Sequence, residues 1–348
     1  MPDEVLEKFG FNDDAIIKPF GTGLINNTWV INEGGTGEKF ILQRINQNIF
    51  KSPEDIAFNI HLITEYLKAH HPEYLFPAPV QSIDGRDLVK TAEGYFRIFP
   101  FIKYSHTIDV AQRPEQAYEA ASQFANFTKV LSGINVSQLK ITLPDFHNLS
   151  LRYLQFENAL KNGNKERIAN SKKLIDFLHQ QKNISDEFEH IKANADFKTR
   201  VTHHDTKISN VLFDDDDKGL CVIDLDTVMP GYFISDVGDM MRTYLSPVSE
   251  EEKDFSKIEI REDFYKAIVN GYMSEMDGEL TKTEKKYFIY AGKFMIYMQA
   301  LRFLADFINN DIYYGSKYEG HNFVRADNQI ALLKKLLEFE KSSYSIAI

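Results

Sequence analysis

The spacing of apolar and polar positions changes character once along the chain. Up to about residue 102, short apolar, β-branched and aromatic runs recur at residues 15–20, 28–31, 39–45, 87–90 and 95–99. Gly34-Gly35-Thr36-Gly37 and Asp84-Gly85 punctuate them. Such runs between turn signals predict strands joined by turns. One helix is predicted among them. Ser52 suits the N-cap, Pro53 the first helical position, and Ile56, Ile60, Ile63 and Leu67 return at helical spacing.

Beyond residue 110 the spacing becomes helical, over residues 114–131, 149–162, 165–180, 261–276, 283–308 and 325–340. One island of strand character interrupts it, at 200–204, 211–213 and 219–225. This order predicts an α+β chain with a bilobal, protein-kinase-like fold. A small β-rich N-lobe with one helix (1–102) would bind a nucleotide. A larger, mainly helical C-lobe (103–348) would carry the catalytic and acceptor-binding residues, with the connector near 100–103.

Composition narrows the partners. The 348 residues suit two lobes better than one core. A net charge of -11 disfavours nucleic acid and anionic membranes as partners. It leaves room for a nucleotide held by a local cation and Mg²⁺, and it mildly suits a cationic acceptor. With a single cysteine, Cys221, there is no intrachain disulfide and no paired-thiolate metal site. Cys221 stands in an apolar run and reads as a buried strand residue. The first residues, Met1-Pro2-Asp3-Glu4-Val5, lack a basic start and an apolar stretch, and no run approaches the length of a membrane span. A cytoplasmic monomer acting on small molecules is expected.

The segment of greatest chemical content is H-x-D-x-K-x-x-N, formed by His203, Asp205, Lys207 and Asn210. In a kinase catalytic loop a carboxylate takes the acceptor's proton, a nearby cation neutralises the phosphoryl group, and an Asn holds the metal. An apolar strand then delivers Asp224 within Ile223-Asp224-Leu225-Asp226. Asp205 and Lys207 are therefore the catalytic candidates. Asn210 and Asp224 are the Mg²⁺ candidates, since Mg²⁺ takes hard oxygen donors and few carboxylates. Taken alone, Asp205 would read as a turn or cap carboxylate; the full spacing decides for chemistry. His203 reads as a brace for the loop backbone. The run Asp214–Asp217 reads as a solvated turn.

At the phosphate end, Gly21-Thr22-Gly23 opens a G-x-G-x-x-N turn between two strands. It fits a kinase flap rather than a Rossmann turn, because a strand follows it. No G-x-x-x-x-G-K-[ST] sequence is present, which excludes a P-loop enzyme. Kinases place a phosphate-binding lysine on the third strand. Here the expected position is Gln43, with Arg44 beside it. Arg44 would serve only if its side chain faces the nucleotide. Glu54, Asp55 and Glu65 are open as its ion-pair partners. Phe99 and Phe101 belong to a hinge-like segment suited to the base.

Together, His203–Asn210, residues 222–231 and Asp236-Val237-Gly238-Asp239 resemble the aminoglycoside phosphotransferase and choline kinase superfamily. Residues 42–46, Thr206-Lys207, 301–307, 311–313 and 317–322 resemble its N-acetylhexosamine 1-kinase branch. The likeness spans about residues 15 to 335 and is weakest at 150–195. It implies ATP or another nucleoside triphosphate as donor and Mg²⁺ as metal. It implies Asp205 as the base at a sugar's anomeric hydroxyl, with Arg302 and Tyr313 contacting the N-acetylated sugar. From spacing alone, Arg302 would pair with Asp306 four residues on, and Tyr313 would pack. Other acceptors (choline, homoserine, methylthioribose, an aminoglycoside) remain as alternatives. So does a nucleotide-binding pseudokinase, which the absent lysine favours and the intact Asp205, Asn210 and Asp224 oppose.

Overall fold

The runs of the first hundred residues pair as an antiparallel sheet. Its strands are β1 (Ile16–Pro19), β2 (Asn27–Asn32), β3 (Lys39–Arg44), β4 (Val89–Thr91) and β5 (Gly94–Pro100), in the order β1-β2-β3-β5-β4. The computed structural model describes residues 2–12, 14–21, 25–35 and 37–346, with side chains from 4 to 342 within them. The chain divides into two compact units. The first comprises residues 1–107, 130–144 and 210–230; the second comprises 108–129, 145–209 and 231–348. The fold is α+β, with a small antiparallel-sheet N-lobe and a larger helical C-lobe.

Period-two alternation sorts the sheet's side chains onto two faces. Trp29 opposes Leu42, Leu42 opposes Ile98 and Arg44 opposes Phe96. On this face Ile31, Leu42, Phe96 and Ile98 are buried with Val5 and Leu6 of α1 (Pro2–Lys8). Full burial of each such side chain stabilises the fold by ~1.5–3 kcal/mol. The opposite face carries Thr28, Val30, Ile41, Gln43, Arg97 and Phe99, matched across the strands as Thr28–Gln43–Arg97 and Val30–Ile41–Phe99.

The predicted helix forms as α2 (Pro53–His70), burying Ile56, Ile60, Ile63 and Leu67; Ser52 contributes no side-chain cap bond. Asn59 on α2 is almost wholly buried. Its amide donates to Lys140 O and Val228 O and accepts from Lys140 N, fixing two loops of the same unit to the helix. A hairpin of β6 (Val211–Phe213) and β7 (Gly219–Val222) follows. The run of aspartates forms its turn. Asp214 Oδ1 accepts from the backbone N–H of Asp216 and Lys218, each at 2.9 Å.

In the second unit α3 (Pro114–Val130) and α4 (Leu149–Asn162) form much as predicted. Residues 165–180 divide into α5 (Lys165–Asn170) and α6 (Lys172–Gln180). The break falls at Ser171, whose hydroxyl donates to Arg167 O at 2.7 Å, a local side-chain bond that competes with the helix. Then come α7 (Asn183–Ala193), α8 (Phe233–Tyr244), α9 (Glu262–Met276), α10 (Phe288–Ile308) and α11 (His321–Ile346). α10 is the spine, buried along nearly its whole length and packed against α4, α8 and α11. It begins at Phe288 rather than near Thr283. Glu284, fully buried, accepts from the backbone of Lys198 and Thr281 and pairs with Arg200, holding a separate 3-10 turn. No described helix is long and apolar enough to cross a membrane.

Candidate active site

The loop carrying Asp205 follows a short buried strand, Arg200–Thr202, and α8 holds its backbone. Asp236 accepts from His203 N at 3.0 Å and from His204 N at 2.7 Å. Asp239 accepts from Thr206 N at 2.9 Å. The Thr206 hydroxyl donates to Asp236 O, and Tyr244 donates its hydroxyl to Thr206 O. His204 adopts a left-handed φ of 67°, which turns the chain sharply just before Asp205. The His203 ring is fully buried, edge-on to Phe124 at 5.0 Å. Burial pushes the Asp236 carboxyl up to about 7, against the two backbone N–H groups that favour its ionised form. Burial also raises Asp239, while Arg242 beside it pulls the other way.

Asp205 itself keeps access to solvent, with a side chain 17% exposed. Lys207 Nζ lies 3.0 Å from Asp205 Oδ1. Burial works to lower the Lys207 pKa, but Asp205 and Asp239 outweigh it and the net shift is upward. The loop thus presents a carboxylate beside a charged ammonium on a backbone fixed from behind.

In the first unit, Asn210 precedes β6 and Asp224 lies just past β7. The strands pair Val211 with Val222, and Ile223 N donates to Asn210 O at 2.9 Å. Asn210 and Asp224 are thereby close neighbours across one ladder. Asp224 is exposed, with a left-handed φ of 61°. An amide oxygen and an exposed carboxylate at the ends of adjacent strands fit Mg²⁺, which binds through one or two protein oxygens and completes its shell with water and phosphate. Among the described residues no group of three or more His, Cys, Asp or Glu is placed to hold a metal.

The remaining nucleotide candidates divide. Gly21, at φ 75°, ends β1's approach to the turn, and its Cα faces open space. Thr22 and Gly23 lie outside the described residues. Phe20 packs edge-on to Phe101 with ring centroids 6.1 Å apart, which joins the start of the turn to the hinge-like segment. Phe99 is half-buried on the Gln43 face. Arg44 is on the opposite face, beside Leu42, and donates to Asn27 Oδ1 at 2.8 Å. Of its suggested partners, Glu54 accepts from the Tyr95 hydroxyl and Glu65 pairs with Lys68 of its own helix at 3.0 Å.

The Gln43 face holds groups that the motifs alone did not single out. Arg97, across from Gln43, is 2% exposed. Its Nε and Nη2 donate to Gln43 Oε1 at 3.0 and 2.8 Å, and Nη2 is 2.5 Å from Asp226 Oδ1. Asn26, the last residue of the G-x-G-x-x-N turn, donates to Asp226 Oδ2 at 2.7 Å. The signals for Asn26 and Asp226 lay inside the quoted motifs; Arg97 has no motif of its own.

The acceptor candidates come together in the second unit. A cavity of about 460 Å³ is lined by Arg152, Gln155, Asn158 and Asn162 of α4, Arg302 and Asp306 of α10, and Tyr313 and Tyr314 beyond it. Arg302 donates to Gln299 Oε1 at 3.2 Å, and its guanidinium lies 5.4 Å from the Tyr314 ring. It does not pair with Asp306, as the spacing suggested. Asp306 instead accepts from the backbone N–H groups of Tyr313 and Tyr314 at 2.7 and 2.9 Å, and from Asn322 Nδ2. Tyr313 is 73% exposed. Behind these residues, burial and the nearby His204 and Arg302 hold the His147 imidazole well below its usual pKa, and hence neutral.

A sequence profile of the phosphotransferase enzyme family matches residues 16–272. Among solved structures, a microcompartment-associated aminopropanol kinase superposes with a TM-score of 0.64 at 16% identity, over 97% of this chain and 96% of that one. Spectinomycin phosphotransferase, solved with ADP and spectinomycin, gives 0.58 at 12% identity over 97% of both chains. Choline kinase from Cryptosporidium parvum gives 0.58 at 14% identity, over 97% of this chain and 96% of that one. At these identities the likeness concerns the fold.

Proposed function

The chain belongs to the phosphotransferase enzyme family, and from that membership we propose that it transfers the γ-phosphoryl group of ATP to the anomeric C1 hydroxyl of an N-acetylhexosamine, GlcNAc or GalNAc. The observation that carries the acceptor is the make-up of the second unit's cavity. It is lined by two guanidiniums, four amides (Gln155, Asn158, Asn162 and Asn309) and two phenols. Its one carboxylate, Asp306, is engaged by two backbone N–H groups. Cationic acceptors such as choline or an aminoalcohol need carboxylates or aromatic cages. A neutral sugar with an acetamido group instead suits forked N–H donors, amides and ring faces. The volume is that of a small-molecule site.

In the reaction, Asp205 accepts the proton of the C1 hydroxyl as its oxygen attacks the γ-phosphorus. The bond from the γ-phosphorus to the β–γ bridging oxygen breaks, and ADP departs. Lys207, held by Asp205 at 3.0 Å, supplies positive charge beside the transferring group. Asn210 and Asp224 would hold Mg²⁺ with the nucleotide, and the metal would supply positive charge against the phosphates. ATP as the donor is supported by a fold shared with a phosphotransferase solved with ADP. Most of the rate would come from positioning and charge rather than covalent chemistry.

The test is a coupled assay of ADP release with GlcNAc, GalNAc, glucose, choline, 1-amino-2-propanol, homoserine, methylthioribose and kanamycin, with and without Mg²⁺, the product being located by NMR. A Mg²⁺-dependent hexosamine 1-phosphate is expected. Turnover of an amine or amino acid alone would keep the phosphotransferase and overturn the acceptor. Nucleotide binding with no turnover of any acceptor would favour a regulatory pseudokinase.

A further inference from the structure

Kinases hold the α- and β-phosphates with a lysine on the third strand, itself steadied by a carboxylate. At that place this chain has Gln43. Arg44, the neighbouring cation, is on the opposite face of β3. We propose that Arg97, reaching across from β5, holds the nucleotide's phosphates in place of that lysine. The inference rests on the phosphotransferase reading above and adds a residue to it.

Three observations carry it. The first is placement. Arg97 is the direct cross-strand partner of Gln43, so its side chain leaves the same face at the neighbouring position. Gln43 becomes a positioning residue: its Oε1 takes two guanidinium N–H groups and fixes the plane of the fork. The second is the counter-charge. Asp226 lies 2.5 Å from Nη2 and is itself 1% exposed, which supplies the steadying carboxylate that α2 does not. The same carboxylate accepts from Asn26 of the glycine turn at 2.7 Å, so the turn that would cover the phosphates is tied to the cation that would bind them. The third is the unused edge. Arg97 Nη1 is buried and makes no hydrogen bond among the described residues. Buried polar N–H groups are ordinarily satisfied, and once Gln43 and Asp226 have taken Nε and Nη2, the two N–H groups of Nη1 are the donors left for a phosphate oxygen.

The alternative is a purely structural bracket between β3, β5 and Asp226. Adenosine distinguishes the two, because it carries the base and ribose but no phosphate. Calorimetric titration of the full chain with Mg·ATP and with adenosine is run on the wild type, Arg97→Met and Arg97→Lys. Removing one partner of a buried ion pair destabilises a fold, so Arg97→Lys is included to keep a cation opposite Asp226. Both variants should bind Mg·ATP about tenfold more weakly or worse, as befits a lost charge-assisted hydrogen bond, with adenosine affinity within about twofold of wild type. Parallel weakening of both ligands would make Arg97 a bracket and overturn the proposal. Unchanged Mg·ATP affinity in the variants would overturn it while leaving the phosphotransferase reading intact. A wild-type chain that bound no Mg·ATP would remove both.

Discussion

The backbone that presents Asp205, the proposed base, is held from α8. Asp236 and Asp239 take the N–H groups of His203, His204 and Thr206, and Tyr244 reaches the carbonyl of Thr206. The carboxylate is therefore presented by a fixed backbone and needs no rearrangement. Asp205→Asn keeps the shape and removes the proton acceptor. Turnover should fall by a factor of about 10²–10⁴, the usual contribution of a positioned general base. Mg·ATP affinity by calorimetry and the unfolding temperature should stay near wild type. Activity equal to wild type would move the base to another residue. At this scale the sequence was most legible where the chemistry is local. H-x-D-x-K-x-x-N is one short segment, and with the hairpin-length gap to Ile223-Asp224-Leu225-Asp226 it carries the reading. Arg97 was not legible, because its relation to Gln43 depends on a register between strands more than fifty residues apart. The Arg302–Asp306 pair that spacing alone offered does not form, for a related reason. The i,i+4 spacing offers Asp306, but the backbone N–H groups of Tyr313 and Tyr314 claim that carboxylate once Asn310 and Asp311, both at left-handed φ, turn the chain back.

Among the elements, α8 joins the loop to the core, and periodicity failed to predict it. Every residue from Phe233 to Met241 is buried, Asp236 and Asp239 included. Its helical spacing is present, but the polar side bearing Asp236 and Asp239 is buried against the loop backbone instead of facing solvent, so an apolar-in, polar-out reading passes over it. α2, with one apolar stripe, was legible for the opposite reason. The packing of α8 on α10 depends on Gly238, where an added Cβ would stand 2.4 Å from Ala291 O. Gly238→Ala must separate the two helices or strain them. It should cost about 1–3 kcal/mol in urea unfolding, the range for overpacked sites. Because Asp236 and Asp239 move with α8, kcat should fall as well. Gly278→Ala is the control: nothing lies within 4 Å of its added Cβ, and its stability should change by under about 0.5 kcal/mol. Equal stability of the two variants would show that α8 tolerates displacement.

For the molecule as a whole, net charge and local charge make opposite demands. The chain carries -11, which by itself would draw in a cationic acceptor. The cavity bearing Arg302 and Tyr313 also bears Arg152, so a cation inside it would meet two guanidiniums. Range decides between them. At physiological ionic strength the Debye length is about 8 Å, so carboxylates scattered over a 348-residue surface are mostly screened from a bound ligand, while groups lining its cavity are not. Glucosamine differs from GlcNAc in presenting an ammonium where GlcNAc has a neutral acetamide. It should therefore be the poorer acceptor at 0.15 M salt, with kcat/KM lower by about tenfold or more, the scale of one repulsive contact near a protein surface. At about 0.01 M salt the Debye length grows to about 30 Å and the distant carboxylates reach the cavity. The gap should then narrow, chiefly through kcat/KM for glucosamine, with GlcNAc nearly unaffected. Arg302→Met should narrow it further at either salt, by raising KM for GlcNAc and relieving the repulsion of glucosamine. If glucosamine matched GlcNAc at 0.15 M, net charge would outrank the cavity, and the acceptor would have to be sought among amines.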